Sequence, residues 1–205
     1  LINVVQDACD LPLSIDTADA DAMKLGLSKA RHKPIVNSVS LEARRLEAAL
    51  ELVGGHECMV VALLMSDAGP PTGVDDRVSN AERLIGKLTD AGKRTDEIIV
   101  DPCFLPVSTD SASGRNVIDA IAEIRRRWPD VHIGGGVSNI SFGLPRRRLI
   151  NFAALTQAIC NGMDYGIIDP TTPGIIATIL AAEAVAGRDE FCMNYVTAER
   201  EGKLG

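Results

Sequence analysis

The chain has 205 residues, of which 46% are hydrophobic and 24% charged, and its formal net charge is −7. This composition is typical of a globular protein with one sizeable core, and we treat residues 1–205 as a single domain. The excess of acid argues against nucleic acid as a partner, because phosphate binding needs a broad basic surface. The longest apolar run, from Gly174 to Gly187, is too short to span a bilayer.

The five cysteines are widely spaced and include no CxxC pair. This spacing indicates unpaired thiols in a reducing compartment and argues against a disulfide scaffold or a zinc site. The three histidines are scattered as well and form no metal-ligand motif. We therefore expect a cytoplasmic protein that holds no metal of its own.

Short apolar runs alternate with helical segments along the whole chain. The predicted strands cover residues 11–16, 34–38, 58–65, 97–101, 132–137 and 165–169. The predicted helices cover residues 1–9, 19–30, 42–52, 79–90, 116–127, 152–160 and 177–185. The last helix is apolar on nearly every side, so we expect it to be well buried. Regular alternation of this kind predicts a parallel sheet, either open and doubly wound or closed as a barrel.

Polar side chains follow most of the predicted strands at the point where each strand ends. These residues are Asp16, Asn37, Asp101, Asn139 and Asp169. A barrel brings all its strand ends to one face, whereas an open sheet places its site at a single switch point. The distribution therefore favours the barrel, with the alternative that these residues cap the following helices.

The segment from Ile133 to Asn139 reads Ile-Gly-Gly-Gly-Val-Ser-Asn. Glycines in a strand allow a flat ligand to approach the backbone, although a glycine-rich strand end explains the same pattern. Asp and Asn side chains supply acceptors and donors that suit the edge of a flat heterocycle. The sequence has no P-loop motif, no GxGxxG spacing and no GxSxG nucleophile motif.

Four segments give the chain a resemblance to a known family. They are Leu13-Ser-Ile-Asp-Thr17, Ile35-Val-Asn-Ser38, Ile99-Val-Asp-Pro102 and Gly136-Val-Ser-Asn139. In this order they resemble the pterin-binding enzymes. The likeness is greatest to methyltetrahydrofolate:corrinoid methyltransferases and to the folate domain of cobalamin-dependent methionine synthase.

The resemblance implies a (β/α)8 TIM barrel that takes part in one-carbon metabolism. It implies transfer of a methyl group between N5 of tetrahydrofolate and the cobalt of a corrinoid (cobalamin) carried by a partner protein. Asn139 would assist at N5, and the enzyme would be a homodimer. The implied pterin-binding residues are Asp16, Asn37, Asp101, Gly136, Ser138 and Asn139.

The chain departs from the family in the number of βα units. Family members begin with two further units, so we expect the N-terminal part of the barrel to be absent from this sequence. Dihydropteroate synthase is one alternative, but it carries a lysine and an Arg-x-His pair where this chain has Gly136-Val-Ser-Asn139 and Gly166-Ile-Ile-Asp169. A folate- or corrinoid-protein-binding module without turnover is another. The direction of methyl transfer cannot be read from the sequence.

A basic run, Arg146, Arg147 and Arg148, follows the Ser-Asn pair. Such runs are usually solvated loops. Its position beside Asn139 supports a second interpretation, in which the arginines contact the folate tail or the corrinoid partner.

Overall fold

The computed structural model describes residues 1–204, and within them six strands alternate with helices. The strands are β1 Ser14–Asp16, β2 Ile35–Leu41, β3 Met59–Ser66, β4 Ile98–Asp101, β5 His132–Gly135 and β6 Tyr165–Gly166. The helices are α1 Ile2–Ala8, α2 Ala20–Lys29, α3 Ala43–Gly54, α4 Val74–Asp90, α5 Ser113–Arg127, α6 Arg147–Cys160, α7 Ile175–Val185 and α8 Met193–Arg200. Each predicted strand and helix is present, with shifted ends.

The chain forms two compact units. The first contains Leu1–Asp101 with Asp130–His132, and the second contains Pro102–Pro129 with the residues from Ile133 onward. No helix among residues 1–204 is long and apolar enough to cross a membrane.

In the first unit β1, β2, β3 and β4 pair in parallel and in chain order. Asp16 pairs with Asn37 between β1 and β2, and Leu63 pairs with Asp101 between β3 and β4. Parallel pairing places the carboxyl ends of these strands at one edge of the sheet, which positions the predicted site residues of this unit.

Strand β3 and helix α4 supply the centre of the first unit's core. Val60, Ala62 and Leu64 of β3 are fully buried, and so are Leu84 and Leu88 of α4. The buried stripe on α4 follows the predicted helical spacing. The helix begins at Val74, five residues before the predicted start at 79, and two acids in its first turn, Asp75 and Asp76, suit its positive end.

In the second unit β5 and β6 pair in parallel, with Gly134 opposite Tyr165 and Gly135 opposite Gly166. Helix α5 buries Val117, Ile121 and Ile124, as its amphipathic pattern predicts.

The expectation that the apolar helix α7 is well buried is wrong for the described residues. Only Ile175 and Ala182 of α7 are buried, whereas Val185 is 79% exposed and Ile176 is 39% exposed. A helix packs one face against its neighbour α6, so an apolar composition on every side does not by itself cover the remaining faces.

Candidate functional site

Asp16 and Asn37 lie side by side on the paired strands β1 and β2 of the first unit. They line one cavity of about 340 Å³, together with Ser38, Arg44 and Arg45. Arg45 is held at this cavity because its guanidinium donates a hydrogen bond of 2.9 Å to the carbonyl of Ala18, which also lines the cavity. The two arginines lie on helix α3 and carry no motif of their own, so they could not be predicted from the sequence as site residues.

The alternative in which the strand-end acid caps a helix does not hold for Asp16. Asp19 performs that role, accepting a 2.8 Å hydrogen bond from the amide of Ala22 at the start of α2. Within residues 1–204 the side chain of Asp16 has no hydrogen-bond partner, and neither does that of Asn37. Both polar groups are therefore available to a ligand in the cavity.

Asn37 lies inside strand β2, not at its end as the sequence predicted. The strand continues to Leu41 because Val39 and Leu41 are buried in the core. Pairing is irregular here: Asn37 lies opposite Val61, and the next paired residue of β2 is Val39. An irregularity of this kind redirects side chains, and it is common beside binding sites.

Asp101 is the last residue of β4, and it is 9% exposed. It is thus the most enclosed of the predicted pterin-binding side chains, since Asn37 is half-buried and Asp16, Ser138 and Asn139 are exposed. A carboxylate in such a position is costly to bury unless polar groups surround it.

In the second unit, strand β5 leads into a short 3₁₀ turn that carries Asn139. The turn covers Val137–Ser141. The backbone amide of Asn139 donates to the carbonyl of Gly136 at 3.1 Å. The backbone carbonyl of Asn139 accepts from the backbone amide of Phe142, also at 3.1 Å. The side chain of Asn139 is exposed and has no partner within residues 1–204. The hydrogen bonds of the turn thus fix the backbone of Asn139 and leave its side-chain amide exposed.

Gly134 and Gly136 differ in what a side chain at each position would contact. A Cβ at Gly134 would lie 1.9 Å from the carbonyl oxygen of Tyr165, so strand pairing itself requires glycine there. A Cβ at Gly136 would lie 3.2 Å from Nδ2 of Asn139, so this glycine leaves space around the amide. Of the two, Gly136 is the glycine that borders the Asn139 side chain.

Arg147 is bonded to the turn that carries Asn139. Its Nη2 donates to the carbonyl of Ser138 at 2.6 Å, and its Nε donates to Oγ of Ser141 at 3.0 Å. The guanidinium also lies over the ring of Phe142, 5.9 Å from the ring centre.

The expectation that the basic run forms a loop is wrong for Arg147 and Arg148, which begin helix α6. Arg146 precedes the helix in a left-handed conformation, with φ of 50°. Arg146 and Arg148 are exposed, and their side chains have no partner within residues 1–204.

A second cavity, of about 450 Å³, adjoins this turn and is lined by Ser138, Arg148, Asn151 and Asp169 among others. The Oδ1 atom of Asn151 is buried and accepts no hydrogen bond from residues 1–204. Sequence reasoning did not single out Asn151 as a site residue.

The prediction that Asp169 ends the sixth strand is wrong, because β6 ends at Gly166 and Asp169 lies in the following loop. A local role explains its residue type. Its carboxylate accepts hydrogen bonds from the amide of Thr171 at 2.9 Å and from the Thr171 hydroxyl at 2.6 Å. These bonds hold the pKa of Asp169 below its usual value.

No cluster of three or more His, Cys, Asp or Glu side chains suited to a metal occurs among residues 1–204.

Comparison with known proteins shows the family of this chain. Residues 1–169 match the family model described as pterin binding enzyme. The methylcorrinoid:tetrahydrofolate methyltransferase of Eubacterium limosum is 34% identical over 207 residues, which span 100% of this chain and 76% of that protein. The methionine synthase of Mycobacterium leprae is 32% identical over 170 residues, covering 77% of this chain but only 14% of that much longer protein.

Solved structures of dihydropteroate synthases share the fold. The enzyme from Yersinia pestis superposes with a TM-score of 0.71 over 91% of this chain and 76% of its own, at 16% identity. The Coxiella burnetii enzyme, solved with pteroic acid, gives a TM-score of 0.69 over 91% of this chain and 70% of its own, also at 16% identity.

The fold predicted from the sequence, a pterin-type α/β barrel of which about six βα units are present, is confirmed by these neighbours. The resemblance to the pterin-binding family, including its corrinoid methyltransferases, is confirmed by the family match and the relatives. The chain belongs to the pterin binding enzymes.

Proposed function

We propose that this protein is a methyltransferase that moves a methyl group between N5 of tetrahydrofolate and the cobalt of a corrinoid protein. The observation that carries this proposal is the match, over the whole chain, to a methylcorrinoid:tetrahydrofolate methyltransferase at 34% identity. The free Asn139 amide in the turn after β5 supports it, because this chemistry needs a neutral donor beside N5.

The reaction explains why an asparagine suits this position. The N5 atom is a poor leaving group, so it must gain a proton or a hydrogen bond as the methyl group departs. The Asn139 side chain offers an N–H donor and a C=O acceptor and carries no charge into the pocket. The methyl group passes to Co(I) on the partner protein in a direct displacement. The folate is the substrate, and the corrinoid is the partner's cofactor.

Asp16, Asn37 and Asp101 hold the pterin in this proposal. Their carboxylate and amide groups match the donors and acceptors along the ring edge. Gly136 and Ser138 complete the set, since Gly136 leaves space beside the Asn139 amide and Ser138 directly precedes it. The family match covers residues 1–169, which include parts of both compact units, and the Eubacterium limosum enzyme matches the whole chain. We therefore propose that residues 1–205 act as one pterin-binding domain.

Methyl transfer is tested directly by mixing the full-length protein with methyltetrahydrofolate and Co(I) cobalamin. We expect the absorbance of methylcobalamin to appear, and the reverse reaction to run from methylcobalamin and tetrahydrofolate. Binding of folate without transfer in either direction would instead identify a non-catalytic binding module. Condensation of a pterin pyrophosphate with p-aminobenzoate would identify a dihydropteroate synthase, for which the present likeness supports the fold alone.

Replacing Asp16 with alanine is expected to weaken methyltetrahydrofolate binding by about 10-fold or more. A hydrogen bond to a charged group contributes about 1.5–3 kcal/mol, and each 1.4 kcal/mol changes an equilibrium constant about tenfold. Isothermal titration calorimetry measures the change. Asp21→Ala is the control, because Asp21 is an exposed acid in the first turn of α2. Equal affinity in the two variants would remove Asp16 from the site.

Arg146 and Arg148 contact the folate tail or the corrinoid partner in this proposal, because both cations are exposed and unpaired within residues 1–204. We expect Arg148→Glu to raise the apparent KM for one of these two substrates several-fold while kcat is retained. Steady-state kinetics with each substrate varied in turn identifies which one. Arg200→Glu on α8 is the control, since Arg200 is also exposed and unpaired in that range. Unchanged KM for both substrates would refute the contact.

The resemblance also leads us to propose a cytoplasmic homodimer that serves one-carbon metabolism. Light scattering coupled to size-exclusion chromatography measures the mass of the assembly in solution.

A further inference from the structure

We propose that Arg147 is a positioning residue that holds the Asn139 amide in its reactive orientation. The proposal rests on the proposed function, in which Asn139 assists at N5. It separates Arg147 from its neighbours Arg146 and Arg148, which the sequence presents as one uniform basic run.

Within residues 1–204, both side-chain hydrogen bonds of Arg147 fall on the turn that carries Asn139. Nη2 binds the carbonyl of Ser138, the residue directly before Asn139, at 2.6 Å. Nε binds Oγ of Ser141, two residues after it, at 3.0 Å. The Ser141 hydroxyl donates in turn to the Ser138 carbonyl at 3.2 Å. One guanidinium therefore fixes the turn on both sides of Asn139.

The ring of Phe142 completes the attachment. Phe142 is 65% exposed, and the Arg147 guanidinium lies 5.9 Å from its ring centre. The amide of Phe142 donates to the carbonyl of Asn139 at 3.1 Å. Val137 and Ile140 are buried and anchor the turn in the core, whereas the Ser138 and Asn139 side chains between them are exposed. Core packing therefore does not orient these two side chains, and hydrogen bonds order this part of the turn. Arg147 supplies two of them.

Arginine is suited to this task because its planar group presents several N–H donors in a fixed fork. A lysine at this position has a single ammonium and cannot match the fork that spans the carbonyl and the hydroxyl. We therefore expect Arg147→Lys to restore little of what Arg147→Ala removes.

The first test is independent of any activity. The side-chain amide signal of Asn139 in a ¹H–¹⁵N spectrum of the full-length protein is identified by its absence in Asn139→Ala. We expect Arg147→Ala to lower the order parameter of this signal, and Arg200→Ala to leave it unchanged. Thermal unfolding confirms that both variants are folded. An Asn139 amide as ordered in Arg147→Ala as in the parent protein would overturn the proposal.

The second test is a kinetic cycle with methyltetrahydrofolate and Co(I) cobalamin. A misplacement of about 1 Å in a reacting group can lower a rate about 100-fold, so we expect Arg147→Ala to lower kcat by roughly 10- to 100-fold with KM nearly unchanged. In an Asn139→Ala background the same change should lower kcat less than twofold, because the group that Arg147 positions is then absent. Equal losses in both backgrounds would contradict the positioning role.

The two tests separate the two proposals. A parent protein without methyl transfer contradicts the proposed function, and the amide signal of Asn139 still decides whether Arg147 orders it. An active parent protein whose kcat is unaffected by Arg147→Ala contradicts the positioning role alone.

Discussion

Replacing Asn139 with alanine is expected to lower the rate of methyl transfer by about 100-fold while the KM for methyltetrahydrofolate changes only a few-fold. In the proposed mechanism the amide acts on the charge and proton balance at N5 in the transition state, whereas Asp16, Asn37 and Asp101 hold the pterin ring. An interaction made mainly in the transition state appears in kcat and not in substrate affinity. Single-turnover measurement of methylcobalamin formation separates the chemical step from product release.

Asn194→Ala provides the matched control for this experiment. Asn194 is an exposed asparagine on α8 whose side chain makes no hydrogen bond within residues 1–204, so its loss should leave both constants unchanged. The opposite pattern for Asn139→Ala, a large rise in KM at constant kcat, would make Asn139 a binding group only.

Replacing Gly134 with alanine is expected to destabilise the second unit by about 3 kcal/mol or more, which is at the upper end for overpacked sites. The added Cβ would lie 1.9 Å from the carbonyl oxygen of Tyr165 and 2.5 Å from its carbonyl carbon. These are backbone atoms, so they can yield only by separating β5 from β6. Two backbone hydrogen bonds of 3.0 Å flank that pairing. The amide of Asp164 donates to the carbonyl of Ile133, and the amide of Ile167 donates to the carbonyl of Gly135. Urea denaturation followed by circular dichroism measures the free energy of unfolding.

Gly86→Ala is the control, because Gly86 lies inside helix α4 and a Cβ there would meet nothing within 4 Å. Alanine is the better helix former by about 1 kcal/mol, so this variant should be slightly more stable than the parent protein. A Gly134→Ala variant as stable as the parent would show that β5 and β6 are not paired in this register in solution.

The arrangement of the elements could be predicted from the sequence because it depends on local patterns. The apolar runs that contain Val36, Val60 and Ile99 have the length of buried strands, and all three residues are buried in β2, β3 and β4. Element ends were predicted less well. Residues 113–115 extend α5 beyond its predicted start, because these polar residues and a glycine carry no apolar signal. Residues 147–151 extend α6 as well, although Leu149 and Ile150 are apolar.

Part of the candidate site, Asp16 and Asn37, could also be predicted from local patterns. Asp16 and Asn37 lie on paired strands, and parallel pairing brings the ends of successive strands together whenever the strands themselves are identified correctly. The helix-capping alternative could not be resolved from residue type. Asp19 and Asp169 are locally bonded and Asp16 is free, although all three are aspartates near strand ends.

The sequence by itself determined the family and the alternation of strands and helices, because motifs and periodicity are properties of neighbouring residues. It also singled out Asn139 as the residue that we propose to act at N5. Only the tertiary structure decided which residues hold the turn that carries Asn139 and leave space around its side chain. It distinguished Arg147, bonded across the Asn139 turn, from the exposed Arg146 and Arg148. It also assigned Gly134 to strand pairing and Gly136 to the space around the amide. These differences arise from distances between atoms far apart along the chain or on opposite sides of a turn, which residue type and spacing do not encode.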